Sequence, residues 1–157
     1  MTNTYVWFTI LFDKFFKTDI KVFKTIHGGY IWNEIVADSS ANLLSLPDID
    51  FGVVPLHIIV GENDYIDDDK IDLTAMQENL SSYKGKTSTS SPSPHEWENA
   101  FGDADVVFCI TITSSLSGTY NSAVIAKDIY EHNHTGRKVY VLDSLSTGPE
   151  IALFIEK

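Results

Sequence analysis

The sequence predicts an α/β domain of three layers, with helices on both faces of a mostly parallel sheet. Two observations carry that expectation. From Ile35 onward, apolar runs alternate with segments of helical spacing. Two of the runs, ADVVFCITI and KVYVLDS, are dominated by apolar and β-branched residues, as strands buried on both faces are. The length of 157 residues is about the size of one domain.

The elements are then read in order. EIVADSS gives a short strand ending at Asp38, Ser39 and Ser40, and GVVPLHIIV gives a second strand over about Gly52 to Val60. DYIDDDKID reads as an acidic turn, after which Thr74 and Gln77 form a capping box for the helix TAMQENLSSY. GKTSTSSPSP is polar and interrupted by prolines, which excludes a helix interior or a central strand. Ser93 as N-cap, Pro94 at the first helical position and Glu96 as the capping-box acid restart the chain in a helix to about Phe101. ADVVFCITI follows as a buried strand, then the helix TYNSAVIAKDIYEHN with Gly136 as its stop signal. KVYVLDS is the next strand, and STGPEIALFIEK opens a last helix that has no cap or polar tail.

Composition removes several functions. Asp and Glu outnumber Lys and Arg 22 to 11, a net charge of -11, which opposes nucleic-acid binding through phosphate contacts. Cys109 is the sole cysteine, so no intrachain disulfide forms, which suits a reducing, cytoplasmic compartment. Its setting in VVFCITI marks it as core, not as a nucleophile. Residues 1–34 are crowded with aromatics and read as an atypical extension. The uncharged run Thr2 to Phe12 is too short to span a membrane, and no signal-peptide pattern follows.

Parallel sheets bind ligands beyond the carboxyl ends of their strands. The turns expected there are rich in hydroxyls: Asp38-Ser39-Ser40, Ser114 to Gly118, Asp143-Ser144, with the stretch Thr87 to Ser93 as a fourth contributor. A helix start offers unpaired N–H groups and a partial positive charge, Ser and Thr add neutral donors, and Gly118 permits close approach. A carboxylate or phosphate site is the expectation. Catalytic signatures do not accompany it, since GxSxG, HExxH, GxxxxGK[ST] and GxGxxG patterns are all missing. His57 reads as a satisfied core residue, His132 and His134 as a solvated pair at a helix end, and Asp67 to Asp69 as a solvated turn lacking calcium-loop spacing.

Several motifs in this order resemble the DegV family. IVADSSANL is similar to its first strand and D-S-[ST] loop, TSSPSP at Thr89 to Pro94 to its TSQPSP segment, SSLSGTYNSA at Ser114 to Ala123 to its S-S-x-L-S-G-T-Y-x-S-A, and VYVLDSLSTG to the strand that follows. The resemblance runs from about Glu34 to Lys157. It implies a binding protein, not an enzyme, that holds a long-chain fatty acid by its carboxylate. In some members it implies presentation of that carboxylate to a separate ATP-dependent fatty acid kinase subunit. Carried over by position, Thr89 and Ser117 are the carboxylate-binding hydroxyls, with Ser90, Ser114 and Gly118 in support; no cofactor or metal is implied. Two departures weaken the match, Ala37 where the family usually has Thr and Ser91 where it has Gln. The resemblance also implies a second, α+β domain that covers the acyl chain and is missing here, so the sequence reads as a truncated piece with weak lipid binding by itself. Two other readings stay open: a phosphate- or nucleotide-handling α/β enzyme, opposed by the lack of Lys or Arg beside the loops, and an inactive remnant.

Overall fold

A computed structural model describes residues 33–47 and 49–155. The main sheet has four parallel strands in the order β2-β1-β6-β7, where β1 is Asn33–Asp38, β2 Asp50–Val54, β6 Val106–Thr111 and β7 Lys138–Asp143. Side chains alternate across it. Val36, Val107, Cys109 and Val139 point into one core with Trp97 and Phe101 of α2 (Pro94–Phe101) and Ala123, Ala126 and Tyr130 of α3 (Thr119–Asn133). Ile35, Ala37 and Ile110 point the other way, against Ala41 of the short 3₁₀ turn Ser39–Ala41 and Ile151 and Ile155 of α4 (Pro149–Ile155). Helices therefore cover both faces, and the three expected layers are present. Cys109 is fully buried, and that burial pushes its thiol well up, so it is inert core as expected.

The second half of the run GVVPLHIIV departs from expectation. β2 stops at Val54, and His57–Val60 forms β3 in a separate three-stranded antiparallel sheet, order β4-β3-β5. Pro55 has no N–H to continue the parallel ladder, and the next donor, Leu56 N–H, is diverted 3.0 Å onto Ser39 Oγ. β4, Asn63–Ile66, overlaps the start of the stretch read as an acidic turn. Its signal is the two-residue hairpin loop Gly61-Glu62, with Gly61 at φ 65 and Val60 paired to Asn63. β5, Thr87–Ser90, is the TSTS segment read as a loop, here an edge strand against β3. Alternating hydroxyls carry almost no strand signal of their own; the apolar partner Ile58-Ile59 recruits them.

Helix starts follow local chemistry. The Ser93/Glu96 capping box is complete, with Glu96 N–H donating to Ser93 Oγ and Ser93 N–H donating 2.8 Å to Glu96 Oε2. The Thr74/Gln77 box is replaced by Asp72, which accepts from Ala75 N–H at 2.9 Å and starts α1 (Leu73–Ser82) earlier. A carboxylate cap adds favourable charge at the positive helix end, which a hydroxyl does not. The first strand begins one residue earlier than read, at Asn33, which pairs with Val106, while residues 1–32 of the segment read as an extension lie outside the described residues. No helix among the described residues is long and apolar enough to cross a membrane.

Phe101 is fully buried and stands edge-on to Tyr130 with ring centroids 5.5 Å apart. Phe101→Ala should lower the unfolding free energy by about 3–5 kcal/mol in urea denaturation. Leu153→Ala, at a side chain 56% exposed, should change it by less than about 0.5 kcal/mol.

Candidate functional site

The carboxyl ends of β1, β6 and β7 meet at one edge of the sheet, and two carboxylates organise them. Asp38, 1% exposed, ends β1 and caps the 3₁₀ turn: one oxygen accepts from Ser40 N–H at 3.1 Å and from the Ser40 hydroxyl. Its other oxygen accepts from Ile112 N–H at 2.6 Å, just past the end of β6. Burial pushes the Asp38 carboxyl up from its ordinary value, and the Ser40 and Ile112 donors pull it part of the way back. Asp143 plays the same part at the end of β7, accepting from Ser114 N–H at 3.2 Å and from Leu145 N–H at 3.0 Å. Leu145 is held at φ 54, a left-handed conformation uncommon for its type, and its side chain is 58% exposed.

These bonds alter the expected cradle. The loop after β6 was read as a row of free N–H donors, yet most are already taken. Ile112 and Ser114 serve the two aspartates, Thr113 donates to Ser146 C=O at 2.9 Å, and Leu116 and Ser117 donate to Thr113 C=O. Thr119 N–H donates to Ser117 Oγ at 3.3 Å. An α-helix leaves the N–H groups of its first turn without partners inside the helix, and the first bond of that kind in α3 is Ser122 N–H to Gly118 C=O. The donors facing out are therefore those of Gly118, Tyr120 and Asn121, beside the Ser117 and Thr119 hydroxyls, 2.7 Å apart.

Of the residues singled out from sequence, Ser117 is half-buried and Gly118 is the N-cap of α3. Gly118 has φ −74, so its backbone does not demand glycine. Space does not demand it either: a Cβ there would stand 3.4 Å from Ser91 Oγ, an ordinary van der Waals contact, which places the helix start against Ser91. Ser122, one turn on, donates its hydroxyl to Pro92 C=O. The first turn of α3 thus packs on Ser91 and Pro92, directly after β5, and the two long motifs of the sequence meet here. Thr89 and Ser90 are both exposed on β5, pointing to opposite faces because they are adjacent in the strand. Thr89 pairs with Ile58 and Ser90 with His57, while the Ser90 hydroxyl donates 3.2 Å to Ser91 C=O. Ser114 is exposed, its backbone held by Asp143. Ala37 is fully buried in the apolar cluster with Ile110, so that position offers no donor.

Four participants, Asp38, Asp143, His57 and Asp67, escaped the sequence reading. Asp38 and Asp143 were grouped with the hydroxyls, although an Asp followed by Ser at a strand end, as in VADSS and VLDS, is a recurrent turn-capping pattern. His57 is no core residue: Nδ1 lies 3.0 Å from both oxygens of Asp64 and Nε2 3.0 Å from Glu96 Oε1. Asp67 belongs to the site edge and not to a solvated turn, since Ser39 Oγ donates to it at 2.7 Å. An open groove of about 490 Å³ begins there, floored by Leu43, Phe51, Val53 and Pro55 and rimmed by Asp67, Asp68 and Asp69. His134 is not simply solvated, as its Nδ1 lies 3.0 Å from Tyr130 C=O. Among the described residues no group of three His, Cys, Asp or Glu side chains is placed to hold a metal ion.

The fold and this edge define a class, an α/β domain with a hydroxyl-lined cradle at the carboxyl end of a parallel sheet. A family model described as "Uncharacterised protein, DegV family" matches residues 33–157, and the chain belongs to the DegV family. A DegV domain-containing protein of Streptococcus pneumoniae is 38% identical over 128 residues, 79% of this chain and 46% of the relative. A DegV family protein from Eubacterium eligens, loaded with heptadecanoic acid, superposes with a TM-score of 0.76 at 40% identity, covering 79% of this chain and 45% of that one. The Streptococcus pneumoniae Fatty Acid Kinase B3 protein, loaded with linoleic acid, superposes with a TM-score of 0.76 at 37% identity, covering 80% and 46%. The chain spans a little under half the length of these relatives.

Asp38→Asn places an amide that can accept through only one atom where two oxygens each receive donors. A loss of about 1–3 kcal/mol in urea denaturation is expected, because one buried N–H is left facing another donor. Asp69→Asn, at an exposed side chain, should leave stability within about 0.5 kcal/mol of the parent.

Proposed function

We propose that this chain contributes the head-group half of a fatty-acid site, with the carboxylate received at the start of α3. The observation that carries the reading is the half-buried Ser117 hydroxyl, held by the buried Thr119 hydroxyl, beside the free N–H groups of the first helical turn, packed on the Ser91-Pro92 segment. These neutral donors suit a single carboxylate. The acidic composition and the rim of Asp67, Asp68 and Asp69 disfavour a multiply charged phosphate or nucleotide. The relatives loaded with heptadecanoic and linoleic acid support the same ligand class. Thr89 and Ser117 are the principal contacts on this reading, with Ser90, Ser114 and Gly118 in support.

Leu43, Phe51, Val53 and Pro55 offer one apolar wall for the acyl chain, in a groove that is open on its other side. Each methylene left in water forgoes roughly 0.8 kcal/mol, so binding by this chain alone is weak. The role that follows is carriage, not catalysis: the protein holds a fatty acid in the cytoplasm with its carboxylate turned toward a separate ATP-dependent kinase. Support for that partner comes from the kinase-named relative.

Titration of the 157-residue chain with oleate, followed by amide NMR, tests this. Shifts should centre on Thr89, Ser117 and Gly118, should vanish in a Thr89→Ala, Ser117→Ala double variant that keeps its circular dichroism, and should come without a saturable rise in melting temperature. Larger, saturable shifts with inorganic phosphate or ATP would overturn the ligand class. A stabilisation of several degrees by oleate would instead sink the claim of weak binding.

A further inference from the structure

His57 stands at the first position of β3 with a carboxylate against each ring nitrogen: Asp64 of β4 at 3.0 Å from Nδ1, and Glu96 of α2 at 3.0 Å from Nε2. A neutral imidazole carries one N–H and one lone pair, so it can satisfy only one of them. With the proton on Nδ1, the Nε2 lone pair would face a Glu96 oxygen; with the proton on Nε2, the Nδ1 lone pair would face Asp64. Only the imidazolium, with two N–H donors, fits both contacts. The charged groups facing the ring are Asp64 from β4 and Glu96 from α2, while β5, reading Thr-Ser-Thr-Ser, presents none.

The second oxygen of Glu96 is also committed. It accepts from Ser93 N–H at 2.8 Å and from the Ser93 hydroxyl at 2.7 Å, so a single carboxylate serves both the capping box of α2 and the ring. Ser93 directly follows Ser91 and Pro92, the two residues on which the first turn of α3 packs. His57 is also the register partner of Ser90. One side chain therefore ties the small sheet to both ends of the segment that carries the TSSPSP motif.

We propose that His57 is a protonation-dependent positioning residue, a brace that in its doubly protonated form holds residues 90–96 in register against the start of α3. The inference deepens the head-group reading and rests on it for its functional meaning, but the brace itself is a property of this chain alone. The hydrogen bond to Glu96, and after it the one to Asp64, raises the affinity of the ring for its proton against the opposing effect of burial. Glu96 is correspondingly held below its ordinary value: burial pushes it up, and the Ser93 donors and His57 more than offset that. Since the folded ring binds its proton more tightly than the unfolded one, the brace is complete below the ordinary histidine value of about 6.5 and is lost as pH rises through the higher folded value.

NMR titration of the chain between acid and mildly alkaline pH tests the proposal. The His57 ring resonances should titrate with a midpoint above about 6.5, the amides of Ser90, Ser91 and Gly118 should move with that same midpoint, and Glu96→Gln should lower it. In His57→Gln the three amides should be flat across the range. If that variant does not fold, Glu96→Gln supplies the same comparison through the lowered midpoint. A ring midpoint at or below about 6.5, or amides that ignore the ring, overturns the brace. Adding oleate on either side of the midpoint separates the two readings. Amides that follow His57 while oleate perturbs nothing at any pH uphold the brace and remove the fatty-acid reading, whereas oleate shifts with amides indifferent to His57 do the reverse.

Discussion

The buried carboxylate of Asp38 is the constraint on which the site edge depends. It sits at 1% exposure, where an unpaired charge would be strongly disfavoured, and its oxygens are met by donors from the turn after β1 and from the end of β6. Those bonds fix how β1 and β6 finish relative to one another. Asp143 repeats the device between β7 and the loop after β6, so the loop is gripped from both sides. Two negative charges beside an anion cradle look like a contradiction. Their oxygens are turned onto backbone N–H groups, which leaves the outward side of the loop to hydroxyls and to the positive end of α3.

Gripping the loop also decides which of its amides stay open. A strand-to-helix turn with many free amides favours a polyanion, whereas here nearly every amide from Ile112 to Thr119 has a partner inside the protein. On the reading proposed above, the few donors left suit a group with one charge and two oxygens. Preorganisation is the gain, since the Ser117 hydroxyl is already held by the buried Thr119 hydroxyl and Ser122 ties the first turn of α3 to Pro92 C=O. The small antiparallel sheet joins the same structure through His57 and Glu96, so polar contacts add to the apolar core that α2 and α3 share.

The alternation of buried runs and the complete Ser93/Glu96 capping box follow rules written within a few residues of each other, and these features were legible in the chain. What was not legible depends on partners distant in sequence. TSTS becomes a strand only because Ile58 and Ile59, some thirty positions earlier, lie alongside; the hairpin into NDYI, by contrast, carried a local signal at Gly61. His57 looked apolar by its neighbours in sequence, but its environment is set by Asp64 and Glu96, the latter 39 positions away.

The sequence by itself determined the family, the parallel sheet with helices on both faces and the hydroxyl-rich turns at the strand ends, because periodicity, capping and motif spacing are local properties. Tertiary structure alone decided the second sheet, the reversal at Pro55 and the use of the loop amides. The physical reason is that a backbone donor or a titratable ring has no fixed role until its partner arrives. Asp38 meets Ile112 across 74 positions of chain, and no local pattern announces that contact.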